Sequence, residues 1–452
     1  MALSSGCYSP GLAAGDYQYV RVKHRHIIYV QGYDPRGLAQ YYRMFRTELR
    51  KFGRLYQVST TLGRPQSLSD GEIASWTIET KADGWQTRTD YDFLRFEDFI
   101  QQDLASPIWR TVFQAVWIYW RLVFGGTIGR FWRANWRFAT FITYPHLLLL
   151  LEAICAAAVG FVFGKGLDAL GIPILLSVPA GTAVFVTLLW TVLKYTENQT
   201  YLLYLLCDTI WTWQFSHRQR PDWDQRIDRF ADYLVKVARG STADEILVVG
   251  HSSGSFLGTE ILARALQLDP ALGRHGPRVV LLTIGGNFPI VGFHKASHGF
   301  RDHLRLLAVE PAIDWIDCQS RKDVMNFFQF DPLAAHGIDA GPSRRNPTIV
   351  PVRFREIIKP ENYRLFRWQF FRVHFQFVMA NERAHAYDFF MIVCGPIPAR
   401  ERMADPEAAL ALATATDAPA RDEAWKRLES AGDRSQNASK TDDMEPTVRL
   451  SG

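Results

Sequence analysis

The segment EILVVGHSSGSFLGTEILARAL, residues 245–266, decides the fold. Residues 245–250 form a short apolar run typical of a buried strand, and a helical pattern follows from Ser253 to about Leu266. Between them, Gly250-His251-Ser252-Ser253-Gly254 fits the pattern G-x-S-x-G. Glycines at both ends allow strand and helix to pack closely, while the central serine is held on a strained turn. The sequence therefore predicts that the Ser252 hydroxyl projects above the carboxyl end of a strand.

Alternating strand and helix patterns extend from this segment in both directions. Apolar, β-branched runs predict further strands at 26–33, 75–80, 278–286 and 312–319. Apolar residues at helical spacing predict helices at 38–53 and 224–240. Strands that alternate with helices favour an α/β fold with a mostly parallel sheet and flanking helices.

Two long apolar segments interrupt this alternation. Residues 138–164 contain no lysine or arginine and one acid, and residues 169–193 carry no charge. About 20 apolar residues span the hydrocarbon core of a bilayer, and the KGLD connector at 165–168 is too short to hold a domain. The sequence thus predicts a transmembrane hairpin with helices at about 143–164 and 170–193.

Charged and aromatic residues flank the hairpin. Arginines cluster before the first span, at Arg110, Arg121, Arg130, Arg133 and Arg137. The positive-inside rule then places both flanks, and the rest of the chain, in the cytoplasm, as for a multi-pass protein of a bacterial inner membrane. The flanks are also rich in tryptophan, which favours interfacial helices. They could instead pack on the soluble domain, or cross the bilayer at 111–126 or 200–215.

Composition limits the classes of protein to consider. Hydrophobic residues make up 48% and the formal net charge is +5, which argues against a disordered chain and a dedicated nucleic-acid binder. The five cysteines lie far apart, so neither disulfides nor a zinc site is expected. We expect five regions: an N-terminal arm at 1–17, the first part of an α/β domain at 18–105, a membrane module at 106–219, the second part of that domain at 220–400, and a disordered tail at 401–452.

The G-x-S-x-G turn in its strand and helix context resembles the lipase and esterase branch of the α/β-hydrolase superfamily. In that family the nucleophilic serine is followed in the chain by an acid and then a histidine. The resemblance implies Asp323, in SRKDVMNF, as the acid and His385, in NERAHAYDFF, as the base. Asp317 is an alternative acid. The alternative bases are His374, whose alternating neighbours indicate a strand, and the loop residues His294 and His336.

The same resemblance implies an oxyanion hole made by two backbone N–H groups, those of Ser253 and Tyr33. Tyr33 lies in YVQGYDPRG, where Gln31 stands at a position that is often histidine in the family. The expected function is a membrane-anchored serine hydrolase that cleaves an ester by a Ser-His-Asp acyl-enzyme mechanism, with no cofactor or metal. Its expected partners are the lipid bilayer and an ester or lipid substrate, without nucleic acid. The alternative is a catalytically silent domain that serves as a membrane scaffold or adaptor.

Overall fold

The computed structural model describes residues 21–442, with side chains up to residue 430. The chain divides into two compact units: the first comprises residues up to Glu97 and from Arg220 onward, and the second comprises Asp98–Gln219. The first unit contains one sheet of nine strands: β1 His24–Val30, β2 Ser59–Leu62, β3 Gln66–Leu68, β4 Ile73–Ala82, β5 Trp85–Leu94, β6 Glu245–His251, β7 Arg278–Ile284, β8 Ile313–Gln319 and β9 Thr348–Pro351.

The sheet is mostly parallel. Its strand order is β2-β4-β5-β1-β6-β7-β8-β9, with β3 also paired to β4. The six strands from β5 to β9 in this order run parallel to one another, whereas β4 is antiparallel to β5, β2 and β3. Strand β1 lies beside β6, with Val30 opposite Gly250. Because parallel strands end at the same edge, this register brings the loop after β1 next to the serine turn after β6.

Helices cover the sheet in the first unit. Those before residue 320 are α1 Leu38–Tyr56, α8 Pro221–Gly240, α9 Gly254–Leu268, α10 Pro289–Gly292 and α11 His298–Val309. Those that follow are α12 Phe354–Ile357, α13 Pro360–Phe366, α14 Phe370–Phe375, α15 Phe389–Cys394, α16 Ala399–Ala404, α17 Pro406–Thr414 and α18 Ala418–Asp442. The structure is thus mixed α/β, with a mostly parallel sheet and flanking helices.

Apolar side chains fill the core on both faces of the sheet. On one face, Leu247 and Val249 belong to a cluster with Phe45 of α1 and Phe390 of α15. On the other face, α9 lies against the sheet at Gly258, where an added Cβ would be 3.7 Å from a Val248 methyl group. The central strands are therefore buried on both sides, which explains why β6 has no polar alternation.

Strand β5 is absent from the sequence-based prediction because its pattern is polar. It reads WQTRTDYDFL, and its acids are partnered by histidines of β1. Asp90 Oδ2 lies 2.8 Å from His24 Nε2, and the Asp92 carboxylate bonds to His26 and to Tyr233. A strand whose polar groups are satisfied by side chains of neighbouring elements needs no apolar run to be stable.

Residues 401–442 differ from the disordered tail expected from their composition, and the rest of that expected tail lies outside the described residues. Helices α16, α17 and α18 cover most of 399–442, and apolar side chains of α17 and α18 form a separate cluster with Ile397. Trp425 is 3% exposed within this cluster, and the Arg21 guanidinium lies 4.2 Å from its ring. One large aromatic ring thus gives an alanine-rich segment enough apolar surface to pack.

The second unit is helical. Its helices are α2 Glu97–Leu104, which starts at the last residue of the first unit, α3 Ile108–Phe124, α4 Thr127–Ala134, α5 Trp136–Ala169, α6 Ile174–Thr200 and α7 Leu202–Ser216. Helices α5 and α6 are long and apolar enough to cross a membrane. Both are longer than the expected spans, and residues 165–168 belong to α5. The connector between them is 170–173.

Helices α5 and α6 pack closely through glycines. A Cβ on Gly160 would lie 2.5 Å from the Gly181 carbonyl oxygen, and a Cβ on Gly181 would lie 2.6 Å from that of Gly160. Small residues at such crossings let two backbones approach, as in membrane helix pairs. The flanking helix α3 packs on α5 and α7 through Ile118 and Leu122. Its Trp117 and Trp120 are about half exposed, and the Trp117 ring lies edge-on to that of Trp213 in α7, with centres 5.1 Å apart.

The second unit is an insertion into the chain of the first, and the two segments of the first unit that flank it contact each other. The rings of Phe96, after β5, and Trp223, in α8, stack with centres 4.7 Å apart. Close by, Arg226 Nη1 donates a hydrogen bond to the Arg95 carbonyl oxygen at 2.9 Å. These contacts join the two segments of the first unit at the point where the chain passes into the second unit and comes back from it.

Candidate active site

Ser252 occupies a strained turn between β6 and α9. Its φ is 59°, in the left-handed region that residues other than glycine seldom adopt. Its N–H donates to the Ile284 carbonyl oxygen of β7 at 3.0 Å, and its carbonyl oxygen accepts from Ser255 N–H at 2.9 Å. Ser252 is partly exposed, whereas His251 and Ser253 are buried. The turn thus lies at the carboxyl end of β6, and Ser252 is its partly exposed residue.

The glycines of the turn permit contacts that no side chain would allow. A Cβ on Gly250 would lie 2.3 Å from the Gly254 carbonyl oxygen. A Cβ on Gly254 would lie 2.0 Å from the Val30 carbonyl oxygen, at the end of β1. Both distances are far below van der Waals contact, so the strand, the turn and α9 pack this closely only with glycine at 250 and 254.

Asp323 lies in the loop after β8 and pairs with His374. The His374 Nδ1–H donates to Asp323 Oδ2 at 2.6 Å, and Asp323 is 3% exposed. The other oxygen, Oδ1, accepts from Met325 N–H at 2.9 Å. Asn326 holds the loop in place by donating to the Ser320 and Asp323 carbonyl oxygens. This arrangement fixes both the carboxylate and the tautomer of the imidazole.

The second imidazole nitrogen, His374 Nε2, is buried and has no hydrogen-bond partner among the described residues. The His374 ring lies near the end of β7. Its Cε1 would be 3.5 Å from a Cβ added to Gly285, which follows Ile284, the residue that accepts the hydrogen bond from Ser252 N–H. No hydrogen bond joins the Ser252 hydroxyl to His374 in the part of the chain that the structure describes. Such bonds are often long without substrate and tighten when it binds. The unpartnered nitrogen belongs to a ring that contacts His251, the residue before Ser252, and such a nitrogen is the kind of group that general-base catalysis needs.

His251, within the serine turn, supports His374. Its Nε2–H donates to the His374 carbonyl oxygen at 3.2 Å, and the two ring centres are 4.7 Å apart. Burial, and after it the neighbouring His374, hold the pKa of His251 well below its ordinary value. His251 is thus a neutral group that ties the backbone of His374 to the serine turn.

The structure does not bring His385 to Asp323. The His385 Nδ1 accepts from Tyr387 N–H at 3.1 Å, and its Nε2 lies 3.2 Å from Glu356 Oε2. The sequence assigns Asp323 to His385, but in the structure Asp323 bonds to His374. His374 does not lie in a strand: it is on α14, and the alternating pattern RVHFQF that suggested a strand spans a helix and a 3-10 turn.

The hydrogen bonds and ring contacts of Asp317 and His336 are with residues other than Asp323 and His374. Asp317, in β8, accepts hydrogen bonds from the Thr283 hydroxyl at 2.6 Å and from Gln319 Nε2 at 2.7 Å. His336 contacts the ring of Phe293, with centres 5.1 Å apart, and bonds to the Pro332 carbonyl oxygen. His294 is buried beyond the end of β7. Of the two candidate acids, Asp323 is the one that the structure pairs with a candidate histidine.

The two predicted oxyanion donors belong to adjacent segments. A Cβ on Gly32 would lie 3.0 Å from Ser252 Cβ and 3.3 Å from the Ser253 nitrogen, so the loop after β1 touches the serine turn. Tyr33, the next residue, is 4% exposed. Gln31 is also buried, with its Nε2 3.5 Å from Glu97 Oε2. Asn287 is a neighbour that the sequence pattern does not reveal, and its Nδ2 donates to the Ser253 hydroxyl at 3.2 Å.

The polar groups at this edge of the sheet include the Ser252 hydroxyl, the His374 imidazole and the Asp323 carboxylate, together with backbone N–H groups. Over residues 21–442, no group of three or more His, Cys, Asp or Glu side chains is placed to hold a metal ion. The arrangement can deprotonate the serine hydroxyl and stabilise the imidazolium that results. Comparisons of the chain with family models, curated proteins and solved structures gave no match.

Proposed function

We propose that the protein is a serine hydrolase with an α/β-hydrolase fold, held at a membrane by α5 and α6, and that it cleaves an ester. The observation that carries the proposal is the left-handed Ser252, whose chain neighbour His251 contacts His374 of a buried Asp323–His374 pair; His374 Nε2 has no partner among the described residues. In this proposal His374 replaces His385 as the base. The order serine, acid, histidine along the chain is unchanged.

In the proposed first half-reaction, Ser252 Oγ attacks the ester carbonyl carbon and its proton moves to His374 Nε2. Asp323 keeps its charge and stabilises the imidazolium through the Nδ1–H bond. The carbonyl oxygen becomes an oxyanion, which accepts from the N–H groups of Ser253 and Tyr33. Collapse of this intermediate breaks the bond to the alcohol oxygen, which takes the proton from Nε2 and leaves, so that Ser252 carries the acyl group.

The second half-reaction releases the acid. His374 Nε2 takes a proton from water, whose oxygen attacks the acyl carbon. The second tetrahedral intermediate collapses and returns the proton to Ser252 Oγ, which leaves a free carboxylic acid. Each proton taken by the imidazole is returned within the cycle, so the reaction consumes one ester and one water and needs no cofactor.

The membrane part of the proposal depends on the second unit. Helix α5 has 34 residues and α6 has 27, and both expose large apolar side chains such as Leu151, Phe161 and Leu176. At 1.5 Å per residue each exceeds the ~30 Å hydrocarbon core. The arginines before α5 favour a cytoplasmic location for both ends of the hairpin. An anchored site suits a lipid ester and equally a soluble ester met near the membrane.

Turnover of a short-chain p-nitrophenyl ester by the full-length protein tests the catalytic proposal. We expect Ser252→Ala and His374→Ala each to reduce kcat/KM by about a thousandfold or more, because both groups act in the same step. His385→Ala is the matched control and should keep the activity of the unaltered protein.

The same assay separates an enzyme from a silent membrane scaffold. A scaffold would give no turnover above the Ser252→Ala background over a series of acyl chain lengths. If His385→Ala lost activity and His374→Ala kept it, His385 would be the base, as the sequence implies. The role given to His374 would then be refuted.

A further inference from the structure

A basic and aromatic surface lies immediately before His374 in the chain. Residues 359–372 read KPENYRLFRWQFFR, with four cations and one acid. Three large apolar side chains are exposed there: Leu365 by 71%, Trp368 by 66% and Phe370 by 52%. We call this the 364–372 surface; its members are Arg364, Leu365, Arg367, Trp368, Phe370 and Arg372.

The concentration of apolar exposure at this surface is unusual for the first unit. Among the described residues of that unit, the remaining exposed large hydrophobic side chains are Leu68 and Leu268, which are far apart in the chain. Scattered apolar residues are common on protein surfaces, whereas contiguous ones mark interaction sites. The 364–372 surface is therefore a candidate for contact with a partner.

Cations surround these apolar side chains. The Arg367 guanidinium and Lys322 Nζ lie 5.0 Å and 5.6 Å from the Trp368 ring centre. The Arg372 guanidinium lies 5.9 Å from the ring centre of Phe366. Arg364, Arg367 and Arg372 are exposed, and none forms a salt bridge with a described acid. Net positive charge and exposed aromatic rings thus occupy the same small area.

This chemistry fits the headgroup layer of an anionic bilayer. Tryptophan and phenylalanine rings insert at the boundary between headgroups and acyl chains, and arginines bind anionic headgroups. The same chain carries two helices long enough to cross a membrane, and a protein inserted through them would meet a bilayer. We propose that the 364–372 surface docks on an anionic lipid bilayer.

Docking would bring the helix of the catalytic base to the membrane. Phe370 begins α14, and His374 lies in its last turn. The placement of a catalytic base at the membrane rests on the proposed function. The docking of the 364–372 surface does not, because contact with lipid is measured without ester turnover.

Photocrosslinking of the full-length protein in lipid nanodiscs tests the proposal. Phe370 is replaced by p-benzoylphenylalanine, and the protein is inserted into phosphatidylcholine alone or into phosphatidylcholine mixed with phosphatidylglycerol. We expect lipid adducts at position 370 that increase with phosphatidylglycerol and decrease at high salt. The same probe at Leu268, which is 54% exposed, is the control and should give no lipid adduct.

Charge reversal provides the second arm. Arg364→Glu, Arg367→Glu and Arg372→Glu together should reduce the lipid adduct by more than about tenfold, since each arginine near an anionic surface contributes to binding. Arg46→Glu, Arg50→Glu and Arg54→Glu, on an exposed face of α1, make the same charge change and should leave the adduct intact. Adducts independent of phosphatidylglycerol, an equal loss in both variants, or adducts to protein in place of lipid would overturn the proposal.

Discussion

Ser252 shows how a single backbone angle depends on its neighbours. A serine at φ 59° is strained by an amount of the order of 1–3 kcal/mol, and such strain persists where the surroundings enforce it. Here the enforcing contacts are the hydrogen bond from Ser252 N–H to Ile284 and the glycines on both sides of the turn. The turn therefore needs Gly250 and Gly254 for geometric reasons that are independent of catalysis.

Alanine at position 254 should disrupt the turn. Its Cβ would lie 2.0 Å from the backbone oxygen of Val30, and neither backbone can move without shifting β1 or α9. We expect Gly254→Ala to lower the melting temperature and to abolish ester turnover. The control is Gly258→Ala on the same helix, where the nearest atoms are 3.7 Å away. That change should preserve activity and add up to about 1 kcal/mol of stability, because alanine favours a helix over glycine. Equal tolerance of both changes would contradict the geometry.

A buried carboxyl allows a test of stability against pH. Asp388 accepts a hydrogen bond from Met391 N–H at the start of α15. Burial raises its pKa to about 6, although that bond and Arg402 lower it. The unfolded carboxyl titrates near its ordinary value of about 4, so the folded state binds the proton more tightly. Asp388 therefore reduces the free energy of unfolding progressively from about pH 4 to pH 6 and fully above pH 6.

Asp388→Asn removes this charge and keeps the hydrogen bond at the start of the helix. We expect it to raise the melting temperature at pH 8, by a free energy of up to about 3 kcal/mol, and to lose this advantage at pH 4. Thermal unfolding of the two proteins in detergent at both pH values measures the difference. A gain of equal size at pH 4 would show that the charge is not its source.

The candidate site shows which of its residues a local sequence pattern can single out and which contacts it cannot. Ser252 is predicted from local context alone, because strand, turn and helix are consecutive in the chain. Asp323 is predicted from its place after β8. His374 is given a minor role because its neighbours alternate in polarity. Its pairing with Asp323 joins residues 51 apart and depends on packing that no local pattern encodes.

At the scale of elements, apolar runs predict the central strands, and the polar strand β5 is missed. Strand β5 is stable because β1 and α8 supply partners for Asp90 and Asp92, which are contacts between distant segments. The helices after residue 400 are missed for a related reason. Their alanine-rich sequence has no sustained apolar face, and the cluster around Trp425 forms only when α17 and α18 pack together with Ile397.

The packing of α5 on α6 depends on glycine at their crossing. A valine at position 160 would place Cβ 2.5 Å from the Gly181 carbonyl oxygen and force the helices apart. We expect Gly160→Val to lower the temperature at which the protein loses its monodisperse peak in size-exclusion chromatography after heating. Gly166→Val is the control, because nothing lies within 4 Å of a Cβ there. If both variants lose the peak at the same temperature, close helix packing is not what the glycine provides.

At the scale of the molecule, the first unit closes on itself where Phe96 stacks on Trp223. A short flexible linker in place of 98–219 should therefore let the first unit fold without the second. We expect this variant to be released from membranes by high salt and to hydrolyse a short soluble ester. A variant that folds by circular dichroism but has no activity would show that the second unit contributes to the site. A variant that salt cannot release would show that α5 and α6 are not the anchor.

The central claim is that Ser252 is a nucleophile activated by His374. The measurement that tests it most directly is peptide mass spectrometry of the full-length protein after reaction with a fluorophosphonate probe. We expect one phosphonylated residue, Ser252, with labelling strongly reduced in His374→Ala and unchanged in His385→Ala. Label on a different residue, or equal labelling of Ser252 with and without the His374 imidazole, would contradict the account.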